Sequence, residues 1–112
     1  MTYDNLLIMR VDESLFFGNT EAVRRQILSA LNRYPDAKEL VLMMSAVNHI
    51  DLTAQEMLIT LNRELMSDGK RLHYSVIKGP IMDIIKHTPV ITELSGQVFL
   101  STVQAVEALR LK

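Results

Sequence analysis

The sequence predicts an α/β domain built on a mixed, mostly parallel sheet, and three features predict it. Apolar runs of strand length alternate with stretches of helical periodicity, the order expected when parallel strands are joined by crossover helices. One run, Leu40 to Val47, is apolar apart from Ser45 and shows no alternation, as a strand covered on both faces should. The chain has 112 residues, enough for a single core.

Taken in order, Leu6 to Val11 reads as a first strand. Asp12-Glu13-Ser14 reads as a turn into a short second strand, Leu15-Phe16-Phe17, and the two form an N-terminal hairpin. Gly18 and Asn19 break that strand. Asn19 is placed to cap a helix whose apolar face is Val23, Ile27, Ala30, Leu31 and Tyr34 and which stops at Pro35-Asp36. The central strand follows. Thr53-Ala54-Gln55-Glu56 then has the form of a capping box, in which hydroxyl and carboxylate each satisfy a free helix N–H. The second helix carries Ala54, Met57, Leu58, Leu61 and Leu65 on one face, sets Gln55, Asn62, Arg63 and Asp68 away from it, and ends at Gly69.

Leu72 to Ile77 alternates Leu72, Tyr74 and Val76 against His73, Ser75 and Ile77, the pattern of a strand with one less buried face. Gly79-Pro80 opens a third helix with the stripe Ile81, Ile84 and Ile85, and Pro89 ends it. An apolar turn through Ile91 and Leu94 leads to a last strand, Val98 to Leu100. Ser101-x-x-Gln104 then caps a closing helix bearing Val103, Val106 and Leu109. The expected order is β-β-α-β-α-β-α-β-α, with about four helices flanking the sheet and right-handed crossovers.

Composition narrows the function classes. No apolar run approaches the ~18 residues of a membrane-spanning helix. The formal net charge of −1, from scattered Lys and Arg, gives no footprint for nucleic acid or anionic lipid. The absence of cysteine excludes disulfides and thiolate chemistry and suits a reducing compartment. No signal-peptide pattern precedes the first strand. Met43, Met44, Met57 and Met82 lie in apolar patterns and read as core fillers.

In open α/β sheets, sites form at the carboxyl ends of strands, which directs attention to the loop after the central strand with Ser45, Asn48, His49, Asp51 and Thr53. It lacks the G-x-S-x-G elbow of a nucleophile. His49 and Asp51 provide at most two of the three or four ligands a metal site needs. The four glycines are dispersed at 18, 69, 79 and 96, so no phosphate-cradling motif exists and no cofactor is implied. His73 and His87 read as ordinary strand or surface histidines. Asp51 and Thr53 are explained locally, as loop-closing and capping residues. A sharper reading makes Thr53 a phosphoacceptor at a helix start, where the dipole holds a phosphate and the neighbouring Asp51 carboxylate repels it.

The loop VNHIDLTAQEM resembles the D-[ST]-[ST]-G loop of STAS domains, the module shared by sulfate-permease-type (SulP) anion transporters and bacterial anti-sigma-factor antagonists. LFFGNTEAVRRQI is similar to the L-F-F-x-N segment of the transporter branch, KGPIMDIIKHT to its K-G-P-x-x-D helix start, and VFLSTVQAVEAL to its closing V-F-x-[ST]-x-x-x-A-V. These segments occur in order over nearly the whole chain, so residues 1–112 are read as one STAS domain.

The resemblance implies a non-enzymatic, cytoplasmic regulatory domain carried by an anion transporter on the inner face of the plasma membrane. Its partners would be the parent's membrane domain, a cytoplasmic regulatory protein, or a second copy of itself. By the same resemblance Asp51 matches the loop aspartate and Thr53 the serine phosphorylated in anti-sigma-factor antagonists. Leu52 stands where the family has its first hydroxyl residue and Ala54 where it has glycine, which weighs against kinase recognition and towards partner contact through an apolar Leu52. The interaction loop is therefore Asn48, His49, Asp51, Leu52 and Thr53. Two alternatives stay open: a free-standing phospho-switch acting through Thr53, and a nucleotide- or anion-binding module at the second helix start.

Overall fold

The structure, a computed structural model, describes residues 2–110. Its elements are β1 (Thr2–Tyr3), β2 (Leu6–Arg10), α1 (Thr20–Arg33), β3 (Glu39–Met43), α2 (Leu52–Ser67), β4 (Arg71–Ser75), α3 (Gly79–Ile85), α4 (Pro89–Thr92), β5 (Val98–Phe99) and α5 (Thr102–Leu109). The strands lie in sequence order, β1-β2-β3-β4-β5, with β1 antiparallel to β2 and the other pairings parallel. The first half of the apolar run supplies the middle strand, as expected, but β3 ends at Met43 and residues 44–47 turn instead of continuing it; β3 is buried along Glu39 to Leu42.

Side-chain alternation divides the sheet into two unequal faces. Leu7 of β2, Leu40 and Leu42 of β3, and Leu72 and Tyr74 of β4 face the main core, which α1, α2, α3 and α4 complete with Ile27, Leu58, Leu61, Ile81, Ile85 and Val90. The opposite face presents Leu6, Ile8 and Val41 to Ala105 and Leu109 of α5, with the half-buried Phe99 and Val106 packed beside them. Eight residues of helix thus cover what four helices cover on the other side. Full burial of a leucine side chain is worth ~2 kcal/mol, so the four-helix layer carries most of the hydrophobic stabilisation.

Four further expectations need correction. The N-terminal hairpin exists, but β1 is the antiparallel partner of β2, and Leu15-Phe16-Phe17 is not a strand. Those residues are held as a turn: Phe16 C=O accepts from the N–H groups of Asn19 and Thr20, both at 3.0 Å, and from Thr20 Oγ1 at 2.7 Å. Asn19 Oδ1 accepts from Phe16 N–H at 3.0 Å, and Asn19 Nδ2 donates to Ser14 C=O at 2.6 Å. Asn19 does stand at the N-cap of α1, but its side chain is spent on the preceding turn rather than on the helix.

The second correction is α4, a turn of helix where a non-helical apolar turn was expected, so five helices flank the sheet among the described residues. Proline at its start fixes φ near the helical value and needs no N–H partner there. The third concerns α2. Asn62 is buried rather than turned away from the core. Its Nδ2 donates to Glu93 C=O at 2.9 Å, while its Oδ1 accepts from Ser95 N–H at 3.0 Å and Ser95 Oγ at 2.8 Å. Ser95 Oγ in turn accepts from Leu72 N–H at 3.0 Å, so one amide fastens α2, the turn before β5, and β4 together. The fourth concerns β4, whose polar face is buried too: His73 and Ser75 are fully enclosed.

Helix α2 ends as expected. Gly69 has φ +72, Gly69 N–H donates to Met66 C=O at 3.0 Å, and Lys70 N–H donates to Leu65 C=O at 2.8 Å, a Schellman closure that favours a residue without Cβ.

Replacing Asn62 by the near-isosteric leucine removes every partner at once and takes from the half-buried Ser95 N–H and from Glu93 C=O the groups they bond to. Asn62→Leu is expected to lower unfolding stability by about 2–3 kcal/mol in urea titration, despite adding apolar surface. An unchanged midpoint would show that the amide bridge is dispensable.

Candidate functional site

The connections that leave the carboxyl ends of β2, β3, β4 and β5 share one edge of the sheet, and the loop after β3 lies in the middle of it. Beyond Met43 the chain turns through residues 44–47, closed by Val47 N–H donating to Met44 C=O at 3.0 Å, with Met44 and Val47 both buried. Residues 48 and 49 are exposed, Ile50 is buried, and α2 begins at Leu52.

This loop is paired with the turn after β2. Leu15 and Ile50 form a parallel bridge, with Leu15 N–H donating to His49 C=O at 2.9 Å and Asp51 N–H donating to Leu15 C=O at 3.1 Å. Both apolar side chains are buried. Asn48 N–H donates to Ser14 Oγ at 3.0 Å. From the other side, Lys78 Nζ donates to Asn48 Oδ1. The turn that delivers Lys78 is strained: Val76, at the end of β4, has φ 57, a conformation costly for a β-branched residue. Three consecutive strand-to-helix connections are therefore tied to one another through Asn48 and its neighbours.

Asp51 is the N-cap of α2. Its Oδ1 accepts from Ala54 N–H at 2.9 Å and its Oδ2 from Phe17 N–H at 2.8 Å, so one carboxylate caps the helix and pins the turn before α1. These bonds hold its pKa below the ordinary 3.8, the Ala54 N–H contributing most and the Phe17 N–H and the nearby His49 adding to it. The Thr53-to-Glu56 capping box is a correction: Thr53 lies within the first turn of α2, and Asp51, two residues earlier, does the capping. Ser101, by contrast, caps α5 as expected, accepting from Gln104 N–H at 3.1 Å.

The structure brings together all five loop residues named from the sequence, but in different environments. Asn48 and Asp51 are engaged in the hydrogen bonds above. His49, Leu52 and Thr53 present exposed side chains, Leu52 with 68% of its surface accessible. Phe17, bonded through its amide to Asp51, adds a second exposed apolar side chain at 78%. Sequence reasoning missed Phe17 as a site residue because it was assigned to a strand. The signal for the turn was Asn19, three residues after Phe16, a spacing suited to side-chain capture of a backbone amide.

Because the Asp51 carboxylate is stabilised in its charged form, its contribution is complete above the ordinary carboxylate range and fades as the pH falls below 3.8. Asp51→Ala is expected to lower the thermal midpoint at pH 7, with the gap from the parent chain closing in acid; a pH-independent gap would remove the carboxylate from the explanation.

Comparison with known proteins agrees with this architecture. The family model described as the STAS domain matches residues 1–106. The Arabidopsis thaliana protein named "Probable sulfate transporter 3.5" is 31% identical over 109 residues, 93% of this chain. The chain spans under a fifth of the length of the curated relatives it matches, 17% in that case. Among solved structures, the murine anion transporter Slc26a9 superposes with a TM-score of 0.86 at 22% identity, over 96% of this chain and 18% of that one. The Bacillus cell fate determinant SpoIIAA in its phosphorylated form gives a TM-score of 0.72 at 13% identity, over 98% of this chain and 96% of that one, and its unphosphorylated form is described as an anti-sigma factor antagonist. At these identities the two structural likenesses speak for the fold, and the family match over nearly the whole chain decides the rest: this protein belongs to the STAS domain family.

Proposed function

We propose that the chain is a non-catalytic regulatory domain of a sulfate-permease-type anion transporter, held on the cytoplasmic side of the membrane and acting by protein contact through the loop 48–53. The observation that carries this reading is the 31% identity to a sulfate transporter along almost all of the chain. No helix among the described residues is long and apolar enough to cross a membrane, so the anion path and its selectivity would belong to the parent's membrane domain. The site suits contact better than chemistry. Both oxygens of Asp51 are occupied by backbone N–H groups, whereas Leu52 and Phe17 offer apolar surface on a loop braced by its neighbours. Exposed apolar side chains on a rigid support are what a partner buries on docking.

Leu52→Glu and Phe17→Glu, each introduced into the transporter that carries the domain, are expected to reduce anion uptake or membrane assembly several-fold. The domain's own unfolding free energy should change by less than about 0.5 kcal/mol, since both side chains are largely exposed. Normal uptake and assembly in both variants would overturn the reading.

A second reading, a phospho-switch at Thr53, is favoured by one observation: that hydroxyl lies on an exposed first-turn residue of α2, beside the Asp51 cap. A phosphate there would meet the positive end of the helix and the negative Asp51 together. If this reading holds, Thr53→Glu changes partner affinity at least tenfold while Thr53→Ala does not, as scored by calorimetry with the cytoplasmic partner. Equal affinities for both variants and the parent chain would dismiss it.

A further inference from the structure

Strand β4 places a histidine where its neighbours place core residues. His73 is fully buried on the thinly covered face of the sheet, and both ring nitrogens are engaged. Nδ1 accepts from Gln97 N–H at 2.9 Å, so in the neutral ring the hydrogen resides on Nε2, which faces Glu39 Oε1 at 3.2 Å. Glu39 comes from β3, and its two oxygens also take the guanidinium of Arg71. Those are the charged groups that face the imidazole. The turn before β5 contributes the Gln97 amide, β5 the Phe99 ring at 5.8 Å between centroids, and α5 its buried Ala105 and Leu109, with Glu107 and Arg110 exposed.

The contact that matters is the one to Gln97. The same residue accepts from Tyr74 N–H through its carbonyl at 3.1 Å, and Val76 N–H donates to Phe99 C=O at 3.1 Å, so the imidazole closes the first link of the β4–β5 pairing. The backbone is pressed hard against the ring: a Cβ on Gly96 would lie 2.3 Å from Nδ1 and 2.4 Å from Leu72 C=O. Protonation would put a hydrogen on Nδ1, pointing at an N–H only 2.9 Å away, and the Gln97 amide would lose its acceptor. The new donor has no room to find another acceptor while residue 96 stays in place. Glu39, already paired with Arg71, favours the imidazolium only in part, and burial of the ring outweighs it.

We propose that His73 is a proton-operated latch: neutral, it holds the turn 95–97 and β5 against the sheet, and protonated, it releases them together with the packing of α5. Burial keeps the imidazole pKa below its ordinary 6.5, against the opposing pull of Glu39, in keeping with a fold that needs the neutral ring. The sign follows: the latch contributes fully above pH 6.5, and its contribution is lost as the pH falls below that value. β5 is a two-residue edge strand, so its opening costs less than that of the five-residue strands β2, β3 and β4.

The test uses the 112-residue chain. An opened latch exposes an ordinary imidazole, so the open population at pH 5.5 should rise over pH 7.5, by at most about tenfold. Amide exchange of Gln97, Tyr74 and Val76, corrected for intrinsic rates, should accelerate in the same proportion while the Val11 amide on the β2–β3 pairing does not. Long-range nitrogen spectra at pH 7.5 should show the hydrogen on Nε2 of His73. In His73→Asn, whose Oδ1 replaces Nδ1 as acceptor without titrating, the acceleration should fall below twofold. A hydrogen on Nδ1 at pH 7.5, or equal acceleration at Val11 and Gln97, overturns the proposal in the parent chain even if the variant does not fold; the same acceleration in a folded His73→Asn overturns it as well.

Discussion

The constraint on which the structure depends is that β3 is buried on both faces at the centre of a parallel ladder. A strand so placed leaves no side chain for solvent, so helices must cover each face and every connection must leave from the sheet's ends. That alone places the loop 44–51 in the middle of the carboxyl edge, between the turn after β2 and the turn after β4. The neighbours then fix its shape: the Leu15–Ile50 bridge on one side and Lys78 on the other. The loop is thus a braced surface, and its exposed Leu52 and Phe17 are presented by a rigid frame.

Asp51 shows how one polar group can hold two backbones. A helix N-cap needs one acceptor, and a carboxylate has two oxygens, so the second is free to capture the Phe17 amide. Capping and loop docking are consequently one event. A change that alters the charge around Asp51 would act on both the start of α2 and the position of Phe17, a physical route by which an event at the loop could be felt across two connections.

The two sheet faces also differ in kind. The main core is mostly apolar, with Asn62 as a non-titrating exception, and covered by four helices, while the second face mixes Leu6, Ile8 and Val41 with the enclosed polar group Glu39, His73 and Ser75 beneath one short helix. Polar groups held by a few directed hydrogen bonds lose their stabilisation abruptly when one partner changes protonation, whereas dispersion and hydrophobic burial respond little. Sensitivity to pH near neutrality therefore concentrates on the β4–β5–α5 side, whereas the Asp51 carboxylate at the Phe17 and Leu52 surface responds only in acid.

Periodicity and punctuation in the sequence determined the strand-helix alternation, the central strand, the Gly69 closure and the Ser101 cap, because each is a local consequence of side-chain spacing or of a residue's conformational range. The candidate site was legible as a place, since the carboxyl end of a central strand is a topological fact, and the Leu52 and Thr53 named there are exposed. What only the tertiary structure decided was partnership. Asp51 rather than Thr53 caps α2, and its second oxygen takes the Phe17 amide from another connection. Leu15-Phe16-Phe17 has strand composition but became a turn because Asn19 and Asp51 took the amides of Phe16 and Phe17. Asn62 and His73 look like surface residues by pattern, and they are core residues because their hydrogen-bond partners, Ser95 and Gln97, come from a segment more than twenty residues away. Local spacing encodes which face a side chain occupies; it carries no record of which distant backbone group will meet it there.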